Sequence, residues 1–206
     1  MSELEVTAGS VGSTEPGHYG IAASAVTLQR VAISTAWNVQ GDPARDSFVD
    51  EARRAFNVTL PTAANTTARG EAWHTIWLGP KAWQLIARRD APSDMATLAA
   101  RRDAMNAAGG ALFDVSASRI AFAVGGAQAA AVLAKSCALD FHTRALPIGH
   151  CAQSVLGHVN ALIVHAETES TFTVMVARSF ARDGWRTLCV SAAQYGYDVL
   201  PTAAYR

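Results

Sequence analysis

Residues 111–188 decide the fold of this chain; they begin ALFDVSASRIAFAVGGAQA and end SFARDGWRTL. Apolar side chains alternate along 118–125, which predicts a strand, and the apolar spacing becomes helical along 130–137. Two more strands are predicted at 159–165 and 171–176. In the second, Phe172, Val174 and Val176 share one face, because successive side chains alternate across a strand. A helix then closes the stretch.

This last helix is predicted to have Ser179 as its N-cap, because a serine hydroxyl readily accepts hydrogen bonds from the free N–H groups of a first helical turn. Its inner face is predicted to hold the apolar residues Phe180, Trp185, Leu188 and Ala192. The order strand, helix, strand, strand, helix makes a complete α+β unit.

The same order of elements is predicted upstream. A strand over 26–35 precedes a helix that is predicted to start with Asp42 as N-cap and Pro43 at its first position. The apolar stripe of this helix is predicted to be Phe48, Val49, Ala52 and Phe56.

A hairpin and a second helix complete this upstream unit. The predicted strands 72–78 and 83–88 flank Gly79-Pro80, a turn dipeptide, which predicts that they pair. The second helix is predicted over Pro92–Ala108, with Gly109 as its C-terminal stop. Its inner side is predicted to be Met95, Leu98, Ala99 and Met105.

The repeated order predicts one α+β domain over residues 26–195, with halves at about 26–110 and 111–195. Residues 1–25 are rich in Gly, Ser and Thr and should be flexible on their own, because they bury too little apolar surface to offset the entropy of ordering. Residues 196–206 form a C-terminal tail.

The composition favours a well-packed globular protein, since 50% of the 206 residues are hydrophobic and 17% are charged. Basic and acidic residues number 17 each, so the net charge does not favour nucleic acid or an anionic membrane as a partner. The start MSELEV lacks the features of a signal peptide, so we expect a cytoplasmic protein. Cys137, Cys151 and Cys189 are too few and too scattered to predict a disulfide framework or a metal knuckle.

Asp114 is a polar candidate for function, since it opens the core motif of the deciding stretch. The alternative is that Asp114 and Ser116 bond to nearby backbone at a strand entry. For Ser179, the absence of a Gly-x-Ser-x-Gly elbow favours a helix cap over a nucleophile. Gly125-Gly126 lacks the glycine motifs of phosphate-binding loops and is interpreted as a tight turn between strand and helix.

Histidine and aromatic side chains are the remaining candidates. Four histidines are spaced seven or eight residues apart, namely His142, His150, His158 and His165. This spacing is unlike that of metal ligands and favours ordinary loop and strand positions. A metal site that these histidines form together with Cys151 stays open. Aromatic residues are frequent at the centres of protein interfaces. The aromatic candidates for binding are Trp73, Trp77, Trp83, Tyr195, Tyr197 and Tyr205. For Trp73 and Trp77 the favoured alternative is packing in the core. For the tail tyrosines the alternative is disorder.

Several short segments resemble, in order and spacing, the gamma subunit of heterotetrameric sarcosine oxidase. The resemblance covers about residues 26–195 and rests on LP at 60–61, IWLGP at 76–80 with Trp83 following, FDVS at 113–116, CALDF at 137–141 and ARSFARDGW at 177–185. No single segment is decisive, and their shared order makes the match specific.

That gamma subunit is similar to the folate-binding domain of the glycine-cleavage T-protein, which is echoed here by Asp114-Val115-Ser116, by Gly126 and by the strand pair within 159–176. The resemblance implies an α+β fold with two ferredoxin-like halves. Where the T-protein motif has paired aspartates before Leu-Ile-Val, this chain has Asn160-Ala161. The resemblance therefore does not extend folate binding or catalysis to this chain.

The resemblance implies a complex of alpha, beta, gamma and delta subunits that oxidises sarcosine to glycine with oxygen, releases hydrogen peroxide and passes the one-carbon unit to tetrahydrofolate. FAD, FMN and NAD are expected in the large subunits and zinc in the smallest. The gamma subunit has no assigned cofactor, so we expect this chain to be a noncatalytic structural subunit without catalytic, cofactor-binding or metal residues.

Two other functions stay open. A free-standing folate-dependent one-carbon transferase of the T-protein type is disfavoured by Asn160-Ala161 and by the short chain. An iron–sulfur maintenance factor would need a Gly-Cys-Tyr-x-Gly-Gln segment, to which Gly149-His150-Cys151-Ala152-Gln153 does not correspond.

Overall fold

The computed structural model describes residues 12–20, 23–88, 95–166, 168 and 170–205. In chain order its elements are β1 Gly17–Tyr19, β2 Val26–Ala32, β3 Ala36–Gln40, α1 Asp46–Phe56, β4 Thr67–Arg69, β5 Trp73–Gly79, β6 Ala82–Ala87, α2 Met95–Ala107, β7 Ala111–Asp114, β8 Arg119–Gly125, α3 Ala129–Ala134, β9 Cys151–Leu156, β10 Val159–His165, β11 Thr171–Ala177, α4 Ala181–Ala192 and β12 Tyr197–Ala204. Short 3-10 helices cover Arg178–Phe180 and Ala193–Tyr195.

The described residues form two compact units, each assembled from separate stretches of chain. Unit 1 is drawn from Met1–Val31, Ile120–Ile148 and Gln153–Ala203, and unit 2 from Ala32–Arg119, Gly149–Ala152 and Ala204–Arg206. Each unit contains a sheet and two helices, so the predicted α+β class is confirmed.

Unit 2 is built on a five-stranded sheet in the order β4-β5-β6-β3-β7. Strand β3 lies between β6 and β7 and is antiparallel to both, so that Trp37 lies between Leu85 of β6 and Asp114 of β7. Strands β5 and β6 pair antiparallel, which confirms the predicted hairpin. One face of the sheet packs against α1 and α2 in a core that contains Trp37, Val39, Phe48, Ala52, Phe56, Val58, Leu60, Trp73, Trp83, Leu85, Ala87, Met105 and Leu112.

Unit 1 is built on a seven-stranded sheet in the order β1-β12-β2-β8-β11-β10-β9. Strands β10 and β11 pair antiparallel, with Ile163 opposite Val174, and β2 pairs antiparallel with β8. Helix α4 packs on this sheet, where the rings of Trp185 and Phe122 lie 5.4 Å apart. The predicted inner residues Trp185, Leu188 and Ala192 are buried, whereas Phe180 is 44% exposed.

The turn from β8 into α3 requires glycine. Gly126 has a φ of 100°, and a Cβ at this position would lie 2.5 Å from the carbonyl oxygen of Ala25. The backbone N–H of Gln128 donates to that same carbonyl. The interpretation of Gly125-Gly126 as a tight strand-to-helix turn is therefore confirmed.

Both predicted N-caps are wrong. Helix α1 begins at Asp46, because Asp42 is used in the preceding turn, where its carboxylate accepts a hydrogen bond from the Ala44 N–H at 3.1 Å. Ser179 lies inside a 3-10 turn, and α4 begins after it, at Ala181, without a side-chain cap. In each case the polar residue lies in a local turn that precedes the first residue of the α-helix.

The sequence also left some elements unpredicted. The strand predicted over 26–35 ends at Ala32, and a separate strand, β3, follows it; β4, β7 and β9 were not predicted as strands of their own. On α2, Met105 is buried as predicted but Ala99 is exposed. The side chains of Met95 and Leu98 and the predicted first turn from Pro92 lie outside the described residues.

Strands lie within both terminal segments of the predicted domain. Within 1–25, β1 pairs antiparallel with β12, so that Tyr19 faces Tyr197. The tail 196–206 contains β12, and Tyr205 after it is buried. Of the helices in the described part of the chain, none is long and apolar enough to cross a membrane.

Candidate functional site

Asp114 and Ser116 form a turn motif at the end of β7. The exposed Asp114 carboxylate accepts hydrogen bonds from the Ser116 backbone N–H at 2.9 Å and from the Ser116 hydroxyl at 2.6 Å. The Ser116 hydroxyl oxygen accepts a hydrogen bond from the Ala36 N–H at 2.9 Å. This motif connects the turn after β7 to the start of β3, as expected for short polar side chains that bond to nearby backbone.

The four candidate histidines lie on different elements. His142 follows α3, His150 precedes β9, His158 is in the turn between β9 and β10, and His165 ends β10. His165 is buried, and its Nδ1–H donates to the carbonyl of Leu146 at 2.7 Å, because a carbonyl can only accept. Within the described ranges, no three His, Cys, Asp or Glu residues come close enough together to hold a metal ion.

The cysteines are three buried free thiols. Burial raises the pKa of Cys151 to about 11, and its Sγ lies 3.4 Å from the carbonyl oxygen of Trp77. The Cys137 Sγ lies 3.5 Å from the Ser154 hydroxyl. A covered thiol with a raised pKa carries little thiolate at neutral pH, so Cys151 is poorly suited to be a nucleophile or a metal ligand in this conformation.

Two of the three candidate tryptophans belong to the core of unit 2. Trp83 is fully buried and its indole N–H donates to the carbonyl of Pro61 at 2.7 Å. Trp73 packs edge-on against Phe56, with the ring centroids 5.3 Å apart. Trp77 is half-buried and packs against the same core. The core interpretation of Trp73 is confirmed, and Trp77 lies at the margin of the core.

The tail tyrosines are packed within the chain. Tyr197 and Tyr205 are buried, with exposed fractions of 1% and 4%. Tyr195 is half-buried, and the Lys135 ammonium lies over its ring at 4.6 Å. Tyr197 and Tyr205 are therefore neither disordered nor exposed for binding, whereas an interface role for Tyr195 stays a prediction.

A buried pair of polar rings in unit 2 was not predicted. His74 of β5 is fully buried, and its Nδ1 and the Tyr205 hydroxyl share a hydrogen bond of 2.7 Å. Burial, with the positive charges of Arg69 and Arg88 adding to the shift, lowers the pKa of His74 to about 3, so the imidazole is neutral at pH 7. Burial also raises the pKa of Tyr205, which keeps its hydroxyl protonated.

This pair is suited to anchoring the chain rather than to proton transfer. A general acid or base works best with a pKa near the operating pH, and both rings here have pKa values displaced away from it. The available sequence signal was a histidine inside the apolar strand around Trp73–Ile76. That signal does not identify a partner 131 residues away.

Comparison with known proteins identifies relatives of the chain. Residues 40–194 match the family described as "Sarcosine oxidase, gamma subunit family". Sarcosine oxidase subunit gamma of Corynebacterium sp. (strain U-96) is 32% identical over 141 residues, which make up 68% of this chain and 66% of that relative. The chain thus matches just under two thirds of the length of this relative.

Solved structures show the same fold. A chain of the heterotetrameric sarcosine oxidase from Corynebacterium sp. U-96, solved in complex with pyrrole 2-carboxylate, superposes with a TM-score of 0.74 at 25% identity, over 85% of this chain and 88% of that chain. The aminomethyltransferase T of the glycine cleavage system from Bartonella henselae superposes with a TM-score of 0.61 at 17% identity, over 87% of this chain and 48% of that chain. At that identity the second match establishes the fold alone.

Proposed function

This chain belongs to the sarcosine oxidase gamma subunit family, and we propose that it is a noncatalytic, structural subunit of a cytoplasmic, heterotetrameric sarcosine oxidase. The observation that carries the proposal is the family match, which covers residues 40–194. The likeness to a chain of a heterotetrameric sarcosine oxidase supports it. The partners of the chain would be the alpha, beta and delta subunits.

The proposed reaction of the complex is the oxidative demethylation of sarcosine. Sarcosine, oxygen and water become glycine, hydrogen peroxide and formaldehyde; with tetrahydrofolate as co-substrate, the one-carbon unit leaves as 5,10-methylenetetrahydrofolate instead. We assign FAD, FMN, NAD and zinc to the other subunits.

The bonding of the polar candidates supports a structural role. The Asp114 carboxylate is engaged by Ser116, and the buried imidazoles of His74 and His165 are bonded to Tyr205 and to the Leu146 carbonyl. A catalytic group must reach a substrate, and both imidazoles are fully buried. These side chains stabilise turns and strand ends of this chain.

The residues at the folate motif do not fit tetrahydrofolate chemistry. Asn160 is exposed on β10, whereas the methyl group of Ala161 is buried, with an exposed fraction of 4%. Neither side chain can supply the carboxylate that the T-protein motif has at this place. We therefore assign no folate step to this chain.

We further propose that the two units are a pair of ferredoxin-like halves. Along residues 36–114 the order is strand, helix, a short extra strand, two paired strands, helix, strand, and the sheet order β5-β6-β3-β7 fits the ferredoxin-like arrangement. In unit 1, β8, α3, β10, β11, α4 and β12 repeat this order, with β2 lying between β12 and β8. Strands β1 and β2 of unit 1 precede the main stretch of unit 2 in the chain, so the halves interleave along the sequence.

The first test is to purify the tagged chain from its native host and to record the masses of co-purifying proteins, the visible absorbance, and peroxide release on addition of sarcosine. We expect a yellow complex with three further subunits that releases peroxide. A colourless protein without partners would contradict the proposal. That protein would then be titrated with tetrahydrofolate, because stoichiometric binding would favour the one-carbon transferase.

The noncatalytic role is tested separately with Asp114→Asn in the purified complex. The amide oxygen can still accept hydrogen bonds from Ser116, so we expect the peroxide rate per complex to stay within about twofold of the unmodified complex. The matched control is Asp140→Asn, because the Asp140 carboxylate accepts a backbone hydrogen bond from His142 in another exposed turn. A loss of about a hundredfold or more for Asp114→Asn alone, with the complex intact, would identify Asp114 as a catalytic group.

A further inference from the structure

Residues 12–19, here called the strap, lie on unit 1 as a separate segment. Strand β1 at its end pairs with the edge of β12, and the Tyr19 ring stacks on the Tyr197 ring with centroids 5.4 Å apart. The Tyr19 hydroxyl donates to the carbonyl of Glu15 at 2.8 Å and lies 3.1 Å from the hydroxyl of Ser13. From helix α4 of unit 1, the Trp185 indole N–H donates to the carbonyl of Ser13 at 3.0 Å.

The residues beneath the strap are buried, whereas the strap is not. Trp185, Cys189 and Tyr197 have exposed fractions of 3%, 0% and 1%. No residue of the strap is buried, and Tyr19 is only half-buried. The Gly12 backbone N–H faces the Cys189 sulfur and the Tyr197 hydroxyl, so the start of the strap lies against these two groups.

The attachment of the strap is weak compared with the packing beneath it. Its contacts are a three-residue strand, one aromatic pair and a few hydrogen bonds, each of which stabilises by little when water can replace it. The Gly, Ser and Thr residues of the strap lose much conformational freedom on ordering and bury little apolar surface in return. Segments of this kind open locally, well before the unit they lie on unfolds.

We propose that the strap opens and closes while unit 1 stays folded, and that it controls access to Cys189 and Trp185. When the strap is closed, the thiol is covered and the Trp185 indole N–H is bonded to the Ser13 carbonyl. When the strap is open, solvent and reagents reach the thiol, and the indole N–H is hydrated. The strap is thus a conformational cover built from the N-terminal segment, independent of the proposed role of the chain in an oxidase.

Thiol labelling of the full chain tests this proposal. A maleimide reagent is added under native conditions, samples are quenched over time, and mass spectrometry quantifies labelled peptides for each cysteine. Cys137 and Cys151 are internal references, because both are buried and their sulfurs lie against the Ser154 hydroxyl and the Trp77 carbonyl, away from the strap. We expect Cys189 to react at least about tenfold faster than either reference, since its cover opens at a lower cost than the unit.

The variant Tyr19→Phe loosens the strap without changing any residue of the core. It removes the hydroxyl that bonds Glu15 and Ser13 and keeps the stacked ring. We expect labelling at Cys189 to rise about threefold, because these hydrogen bonds order the closed strap but water can replace each of them. Labelling at the two reference cysteines should stay unchanged.

Tyr195→Phe is the matched control, since it removes the same atom from a half-buried tyrosine outside the strap. It should leave all three labelling rates unchanged. The proposal is overturned if Cys189 reacts no faster than Cys137, or if Tyr19→Phe raises all three rates equally, because either result means that Cys189 is reached only when the unit unfolds.

Discussion

The two terminal segments of the chain differ in how they are held. The strap, residues 12–19, lies on unit 1, and none of its residues is buried. The C-terminal segment, residues 197–205, has Tyr197, Val199 and Tyr205 buried, at 1%, 3% and 4% exposure. Both segments contribute a strand to the same sheet, so pairing alone does not distinguish them.

What distinguishes them is the apolar surface that each buries. The strap contributes one half-buried ring, whereas the C-terminal segment contributes two buried tyrosines and a buried valine. Burial of large side chains is the dominant favourable term in folding, and exposed hydrogen bonds add little to it. We conclude that the C-terminal segment unfolds together with the rest of the fold, whereas the strap is a loosely attached segment on its surface. Four predictions test this difference, in order of decreasing expected effect.

The largest effect is expected for Tyr205→Ala. Removing a buried aromatic ring from a packed site leaves a cavity, so the free energy of unfolding should fall by about 3–5 kcal/mol. Urea denaturation followed by tryptophan fluorescence measures this. Tyr195→Ala is the control, at a half-buried ring near the same end of the chain, and should cost much less. A loss below about 1 kcal/mol for Tyr205→Ala would mean that the C-terminal segment is as loosely held as the strap.

The next effect is acid sensitivity through His74, the hydrogen-bond partner of Tyr205. Its pKa is lowered to about 3 in the fold by burial, with Arg69 and Arg88 adding to the shift, and returns to about 6.5 on unfolding. The unfolded chain therefore binds the proton first, so the stabilisation is fully present above pH 6.5 and declines as pH falls towards 3. Between pH 7 and pH 4 the loss should be about 3 kcal/mol.

His74→Gln shows whether His74 causes this acid loss. A glutamine does not titrate, so the unfolding free energy of this variant should depend less on pH over the same interval. His158→Gln, at an exposed histidine, should retain the full dependence. Equal pH dependence in the unmodified protein and in His74→Gln would rule out His74 as the source.

Tyr205→Phe should have a smaller effect than Tyr205→Ala. It keeps the ring in its site and removes the hydroxyl that bonds His74 Nδ1 at 2.7 Å, which leaves a buried nitrogen without its partner. The expected cost is about 1–2 kcal/mol by urea denaturation. In a double-mutant cycle, Tyr205→Phe should cost less when His74→Gln is already present. Additive effects would show that the hydrogen bond contributes nothing to stability.

The smallest effect is expected for Tyr19→Ala in the strap. Its ring is half-buried and stacks on one other ring, an interaction worth about 0.5–1.5 kcal/mol, and a segment that is already open before global unfolding contributes less than this. Urea denaturation should therefore show a change of about 1 kcal/mol or less. If Tyr19→Ala destabilised the protein as much as Tyr205→Ala, the proposed difference between the two segments would be wrong.

Much of the fold could be predicted where the signal is local. The hairpin of β5 and β6 follows from two apolar runs around a Gly-Pro turn, and the strand pair of β10 and β11 follows from its apolar patterns. Gly126 could be interpreted as a turn, because the period of the apolar pattern changes beside it. The helix starts could not be placed: Asp42 and Ser179 have the chemistry of N-caps, but each lies in a turn that precedes its helix.

The sequence could not predict the hydrogen bonds that anchor the terminal segments. The bond between His74 and Tyr205 joins residues 131 positions apart, and that between Trp185 and Ser13 joins residues 172 apart. No periodicity or spacing relates such pairs. The motif likewise identified Ser116 beside Asp114, but not the hydrogen bond that the Ser116 hydroxyl accepts from the Ala36 N–H.

The sequence by itself determined the α+β class, the types of its main elements and the resemblance to one family, because apolar periodicity and short motifs are properties of neighbouring residues. Tertiary structure alone decided that β2 pairs with β8 while β7 pairs with β3, that the two units interleave, and that one terminal segment is buried and the other lies on the surface. Strand pairing and burial join residues far apart in the chain, and which pairs form depends on the free energy of the whole packed unit.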